Sequence, residues 1–370
     1  MLAVTPKVRR ELLSMAARRI ARQRLEPGTR RTPDEIVRWS GAVQAQDYPL
    51  ACWSVGQRTG GSPCASVTQA VAAGEVLRTH VLRPTWHFVA REDLRWMLAL
   101  TGARVKARLV PFESRGGLDP ETVRRGVKAV AAVFRDGGHR TREEVASALK
   151  ERRFQELSAW ALGHVLMHAE LDGVLCSGCP KGSRQTHALL DERAPSLDYP
   201  TGDEGLALLA RRYFQSHAPA TERDFRWWSG LPAAASRRAI AALASQVITV
   251  RVADLEFIEW RDPAAGASTG AHLLQPFDEL VVAYSQSRGL LDLAGVVANR
   301  KPEGLLSRTV LVNGQIAGRW RRESSPQSFA VSVDMPTLPA VRVKRALEAA
   351  AGRHADFFGR QLEQIAFASA

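Results

Sequence analysis

Leu12, Leu13, Ala16, Ile20 and Leu25 recur at helical spacing, and the same period returns at Val123, Val127, Val130, Ala131 and Phe134. The pattern is clearest between residues 120 and 190. The helix over 120–135 ends at Asp136-Gly137-Gly138. Thr141, three residues before Glu144, then opens a second helix with a capping-box signature, and 158–172 predict a third. GVLCSGCPKGSRQTHALL follows as two short strands around a basic tip. Helix, short helix, longer helix and hairpin is the order of a winged helix.

The phrase repeats. At 203–260, an amphipathic helix precedes Thr221 and Asp224, which open a short helix that Gly230 ends; a third helix starts at Pro232 and QVITVRVADLEFIEW supplies the strands. A looser copy comes first: helices at 6–25, from Pro33 to about Val43 and near 66–74, then strands in EVLRTHVLRPTWHFVA. Beyond 260 the pattern alternates. HLLQPFDELVVAY, RTVLVNGQIAGRWRR and SFAVSVDM read as strands, with Asn313-Gly314 as a type I′ hairpin turn and helices expected at about 339–350 and beyond 355. The expected units are residues 1–115, 116–197, 198–262 and 263–370: three tandem winged helix-turn-helix modules and a β-rich domain, an α+β chain.

Composition fits a globular protein of several cores: 370 residues, 45% hydrophobic and 24% charged. No apolar run is long enough for a membrane span, and the first 28 residues have helical rather than secretory spacing, so a mature cytoplasmic protein without a membrane partner is expected. Charge sharpens the picture. Fifty-one basic against 38 acidic residues give +13, with 44 arginines to seven lysines, which calls for a polyanionic partner, most commonly nucleic acid.

Several chemistries fail on their own terms. Cys176 and Cys179 have the spacing of half a zinc site with no second pair, and His164 and His168 lack the glutamate that a metalloprotease helix carries between them. Glycine-rich phosphate loops and a nucleophile elbow are missing, so neither metal nor cofactor is expected. Three basic stretches suit a DNA surface: LRTHVLRPTWHF with His80, Arg83 and His87; the hairpin tip PKGSRQT with Lys181, Arg184 and Gln185; and GRWRRESS with Arg319, Arg321 and Arg322 flanking Trp320. Each alone equally suits a solvated face.

GAVQAQDYPL sets Gln44 and Gln46 before a turn. In a helix the two would diverge, whereas in an extended segment they share a face. Tyr48 precedes Pro49 and so favours extended backbone, which lets Ala45 turn inward while both carboxamides face one groove. Capping or solvating a helix end is the plainer reading of the same residues.

VQAQDYP, RPTWHF, SRQTHALLDER, FRWWSGL, LLQPFDELVVAY and VLVNGQIAGRW together resemble the AlkZ/YcaQ winged-helix DNA glycosylases over essentially the whole chain. The resemblance implies three winged helices plus a C-terminal β-barrel around a DNA channel. Gln-x-Gln in place of Gln-x-Asp puts the chain in the AlkZ branch, associated with self-resistance to DNA-alkylating natural products such as azinomycin and their interstrand crosslinks. It implies that Gln44 and Gln46 hold water and stabilise a sugar cation on double-stranded DNA bearing alkylated or crosslinked purines. Asp47 is then an alternative base or a turn cap, and His80, Arg83 and His87 are phosphate or channel contacts. With no lysine near the motif, a monofunctional enzyme, acting as a monomer, is expected. A non-enzymatic winged-helix regulator predicts binding without base release, and an RNA-binding module predicts preference for RNA.

Overall fold

The computed structural model describes residues 5–25, 30–154, 157–194, 198–262, 270–298 and 302–369. The first group of elements is α1 (Pro6–Arg22), α2 (Pro33–Ser40), β1 (Val43–Gln44), α3 (Tyr48–Gly56), α4 (Cys64–Ala73), β2 (Val76–Val81), β3 (Arg83–Ala90) and α5 (Arg91–Arg115). The second is α6 (Pro120–Val133), β4 (Arg140–Thr141), α7 (Arg142–Glu151), α8 (Ala159–Leu171), β5 (Leu175–Ser177), β6 (Thr186–Leu189) and α9 (Leu190–Arg193). Then come α10 (Gly202–His217), α11 (Glu222–Ser229), α12 (Ala233–Ala241), β7 (Val247–Val252) and β8 (Leu255–Trp260). The chain closes with β9 (Ala271–Leu274), α13 (Glu279–Val282), β10 (Thr309–Val312), β11 (Gln315–Ser324), β12 (Ser328–Met335), α14 (Val341–Phe357) and β13 (Gln361–Ser369).

One order recurs three times: helix, short extended segment, two helices, hairpin. The extended segment always pairs with the second hairpin strand. The sheets run β1-β3-β2 and β4-β6-β5, and in the third copy a single bridge joins Ala220 to Ile258 of β8. A side-chain cap opens the next helix each time. Thr141 and Thr221 do so with complete capping boxes, and Asp47 accepts from the N–H of Leu50. In the second and third copies the cap is the strand's last residue or its neighbour. In the first, Ala45 and Gln46 intervene between β1 and the cap.

Several expectations are corrected. The Asp-Tyr-Pro stretch opens α3 rather than closing a helix. Pro49 sits in the first turn, where a missing N–H costs nothing, and the cap together with burial of Leu50, Ala51, Trp53 and Val55 overrides the extended bias of Tyr48. The unforeseen α5 buries Leu94, Met97, Thr101, Val105 and Leu109 along one face. Of HLLQPFDELVVAY only the first three residues belong to a strand, β9, because the Asp278 side chain caps Leu280 and starts α13. Asn313 and Gly314 both have positive φ, as the hairpin turn requires. A strand, β13, replaces the helix expected beyond 355 and pairs parallel to β12.

The C-terminal sheet, ordered β13-β12-β11-β10-β9, is open, not a closed barrel: β9 and β13 are its two edges and α14 packs against it. Trp320, expected at a DNA surface, is core. It is 1% exposed and donates its indole N–H to the Leu274 carbonyl at 2.7 Å. The expected boundaries at 197 and 263 fall outside the described residues. Among the described residues, no helix is long and apolar enough to cross a membrane.

Candidate functional site

Gln44 ends β1, and Gln46 lies on the bend at the junction between β1 and α3. Val43 pairs with Phe88 and Gln44 with His87, and the N–H of Ala45 bonds the Trp86 carbonyl at 2.7 Å. Ala45 is fully buried, Gln44 half-buried and Gln46 exposed.

Three groups fix this junction. Arg78 on β2 donates Nε to the Ala45 carbonyl at 2.9 Å and Nη2 to the Gln46 carbonyl at 3.1 Å, with its guanidinium over the Trp86 ring. Glu279, at the start of α13, accepts the Gln44 N–H at 2.6 Å through Oε1. Arg83 donates Nη2 to the Gln44 side-chain oxygen at 3.3 Å and to His87 Nε2 at 3.2 Å, and Nη1 to the Trp228 carbonyl at 3.2 Å. Because arginine only donates, His87 Nε2 must be the acceptor. Burial first, then the charge of Arg83, pushes that imidazole well below its usual range and keeps it neutral. The Gln44 oxygen thus has one lone pair engaged, while the Gln46 side chain makes no hydrogen bond among the described residues.

On the Arg78 side a cavity of about 160 Å³ is lined by Arg78, His80, Trp86, Glu170, Gln185 and His187 among others. It joins the first hairpin to α8 and the second hairpin. Glu170 Oε2 takes the His80 backbone N–H at 2.9 Å and meets its Nδ1 at 2.5 Å, and Oε1 lies 3.3 Å from His187 Nε2. Burial alone would raise the Glu170 carboxyl, but the two imidazoles outweigh it and hold the group well below the usual carboxylate range.

The residues singled out from sequence therefore fall into different environments. Arg83, His80 and His87 are buried, at 7%, 2% and 0%, so in this conformation they face the protein interior rather than a phosphate. Asp47 caps α3 and lies close enough to Arg322 for their charges to interact. Arg322 itself bonds His354 Nε2 at 3.0 Å and stacks on Phe329 and Phe358. Arg319 is half-buried beside Gly304, and Arg321 is exposed. Lys181 and Arg184 project at the hairpin tip, where Lys181 pairs with Glu144 at 2.8 Å, and Gln185 lines the cavity. His164 Nδ1 and His168 Nε2 share Glu113 Oε1, each at 2.8 Å. Cys176 and Cys179 are free thiols, and no group of metal-binding side chains occurs among the described residues.

Sequence reasoning missed Arg78 and Glu279. Arg78 sat within a basic stretch that was read as a whole. Glu279 lay in a presumed strand, where an acidic pair heading an apolar run was the available signal.

The model of a family described as DNA glycosylase AlkZ-like matches residues 37–357. The interstrand DNA cross-link repair glycosylase of Streptomyces sahachiroi is 26% identical over 345 residues, 88% of this chain and 92% of that protein. The solved structure of Streptomyces sahachiroi DNA glycosylase AlkZ superposes with a TM-score of 0.74 at 25% identity, covering 96% of this chain and 99% of that one.

Proposed function

The chain belongs to the AlkZ-like family of DNA glycosylases, and we propose that it hydrolyses the N-glycosidic bond of alkylated purines in duplex DNA, with Gln44 and Gln46 as its catalytic residues. One observation carries this reading: two carboxamides stand two residues apart where β1 passes into α3, one fixed by Arg83 and the other exposed and unengaged among the described residues.

Alkylation at N7 of guanine leaves a positive charge on the base. Cleavage of the C1′–N9 bond returns the electron pair to the departing purine, which leaves neutral. The cation that develops on the sugar is quenched by water, whose oxygen bonds C1′ and whose proton passes to solvent. Neutral amides suit this chemistry. The Gln46 oxygen is open to the sugar cation and to the attacking water, while Gln44, held at both its N–H and its side-chain oxygen, keeps the junction in register. A catalyst without a strong base spares ordinary bases, which are poor leaving groups.

The finer assignments follow the relatives. The Streptomyces protein is named for interstrand cross-link repair, so the proposed substrates extend to bulky N7-guanine adducts and crosslinks. Self-resistance to a DNA-alkylating antibiotic of the azinomycin type is the corresponding role. Supporting three tandem winged helices is the thrice-repeated order of elements, each copy offering a hairpin and a helix to the duplex, with Arg184, Gln185 and Arg321 as DNA contacts. The protein is proposed to act as a monomer in the cytoplasm.

The test is incubation with duplex DNA carrying N7-methylguanine or an interstrand crosslink, followed by alkaline cleavage. Alkali-labile sites should appear with wild type and not with a Gln44→Ala, Gln46→Ala double variant. DNA binding without base release would leave a binder rather than an enzyme.

A further inference from the structure

Two acidic neighbours head α13, and they are treated differently. Asp278 is fully compensated: Arg58 reaches both its oxygens, and Ser54 and Gln57 donate to it as well. Glu279 is as deeply buried, at 2% exposed, and its carboxylate makes one hydrogen bond, to the Gln44 N–H. Its second oxygen faces His217 Nε2 at 3.7 Å, beyond direct bonding, and among the described residues neither atom has a hydrogen-bond partner. His217 is engaged elsewhere, through Nδ1 with Ser216 Oγ at 2.7 Å and by stacking on Tyr213. Among the described residues no lysine or arginine forms an ion pair with Glu279.

A glutamine at 279 would accept the same N–H bond without the desolvation cost of a buried charge. The charge itself therefore needs a reason, and the Gln44 strand lies directly against it. The motif has two neutral carboxamides where the reaction develops a cation, and the buried Arg83 sets a positive charge against one of them. A carboxylate behind them, near enough to Arg83 for their charges to interact, offsets that charge in a water-poor setting.

We propose that Glu279 is a positioning residue of the glycosylase reaction, holding the Gln44 strand through its N–H and adding negative potential beneath the two carboxamides. This rests on the reading of Gln44 and Gln46 given above.

Single-turnover base release from an N7-methylguanine duplex tests it, with wild type, the Gln44→Ala, Gln46→Ala double variant, Glu279→Gln and Glu279→Asp compared. Glu279→Gln should melt and bind DNA like wild type yet release base about ten- to a hundredfold more slowly. Glu279→Asp, which keeps the charge, should recover part of that loss. Wild-type rates from Glu279→Gln, or a loss matched by equal loss of DNA affinity, would overturn the proposal. Should Glu279→Gln melt early, the aspartate variant decides: a faster rate than Glu279→Gln supports the charge, and an equal loss refutes it. An inactive wild type sinks both readings. An inactive double variant beside a fully active Glu279→Gln sinks only this one.

Discussion

Arg58 and Asp278 meet across 220 residues of chain in a buried two-pronged ion pair, Nη2 to Oδ1 at 2.7 Å and Nη1 to Oδ2 at 3.0 Å. Arg58 follows α3 and Asp278 caps α13, so the pair ties the helix after the glutamine junction to the turn that carries Glu279. Arg58→Ala leaves Asp278 buried and unpaired, and should cost about 3–5 kcal/mol. Urea denaturation measures it; a loss under about 1 kcal/mol would mean the pair is balanced by its own desolvation.

Arg78 presents a different case, because it touches backbone at the motif itself. Arg78→Met keeps much of the aliphatic stem and stacking on Trp86 but frees the carbonyls of Ala45 and Gln46. Base release should fall roughly tenfold or more through misplacement of the carboxamides, while duplex affinity stays within about twofold. Equal loss of rate and affinity would make Arg78 a DNA contact instead.

How far the sequence anticipated this site follows from which interactions are local. Thr141 with Glu144, Thr221 with Asp224, and Asn313-Gly314 act over two to four residues, and the elements they begin or join were readable. Gln44 does lie in an extended strand, though the reason read from sequence is mistaken: Pro49 starts a helix there rather than ending one, and Gln46 falls on the bend before it. The bond from Gln44 to Glu279 spans 235 residues and leaves no periodic trace. Burial also changed the meaning of charge. Arg83 looked like a phosphate contact because nothing local marked it as enclosed by Gln44, His87 and Trp228.

Gly230 ends α11 with φ of +70°, and a Cβ there would lie 2.4 Å from the Leu82 carbonyl oxygen, at the turn of the first hairpin. Both the left-handed backbone and the close approach demand glycine. Gly230→Ala should destabilise the protein by about 2–3 kcal/mol. Thermal and urea melts check this, and wild-type stability would show that the hairpin turn shifts at little cost.

Acid should weaken the fold through its buried histidines. Burial, then nearby arginines, pushes His272 down to about 4 and His354 to about 3. In the unfolded chain both take up a proton near pH 6.5, so below that pH the unfolded state binds more protons and stability falls with pH. Each group contributes about 1.4 kcal/mol of loss per pH unit between 6.5 and its folded value. His87 and His217 shift the same way and add to the slope. Glu170, held low, loses its contribution only below the ordinary glutamate range, outside this window. Unfolding free energies between pH 7 and 5.5 should show the decline, and His354→Gln should make it shallower; a flat wild-type profile would refute neutral buried histidines.

Arg184 and Lys181 share one hairpin tip, yet their pairing separates them. Lys181 is held by Glu144, whereas Arg184 is exposed and forms no ion pair among the described residues. If this hairpin lies against the duplex backbone, Arg184 neutralises a phosphate and releases a counterion, while Lys181 has its charge already offset. Removing one such contact lowers the dependence of log K on log salt by about 0.9. Arg184→Ala should therefore flatten the salt dependence of duplex binding by about that amount, equally for damaged and undamaged DNA, and Lys181→Ala should change it less. Titrations at several salt concentrations read this directly. Unchanged slopes for both variants would move the DNA path away from the second hairpin.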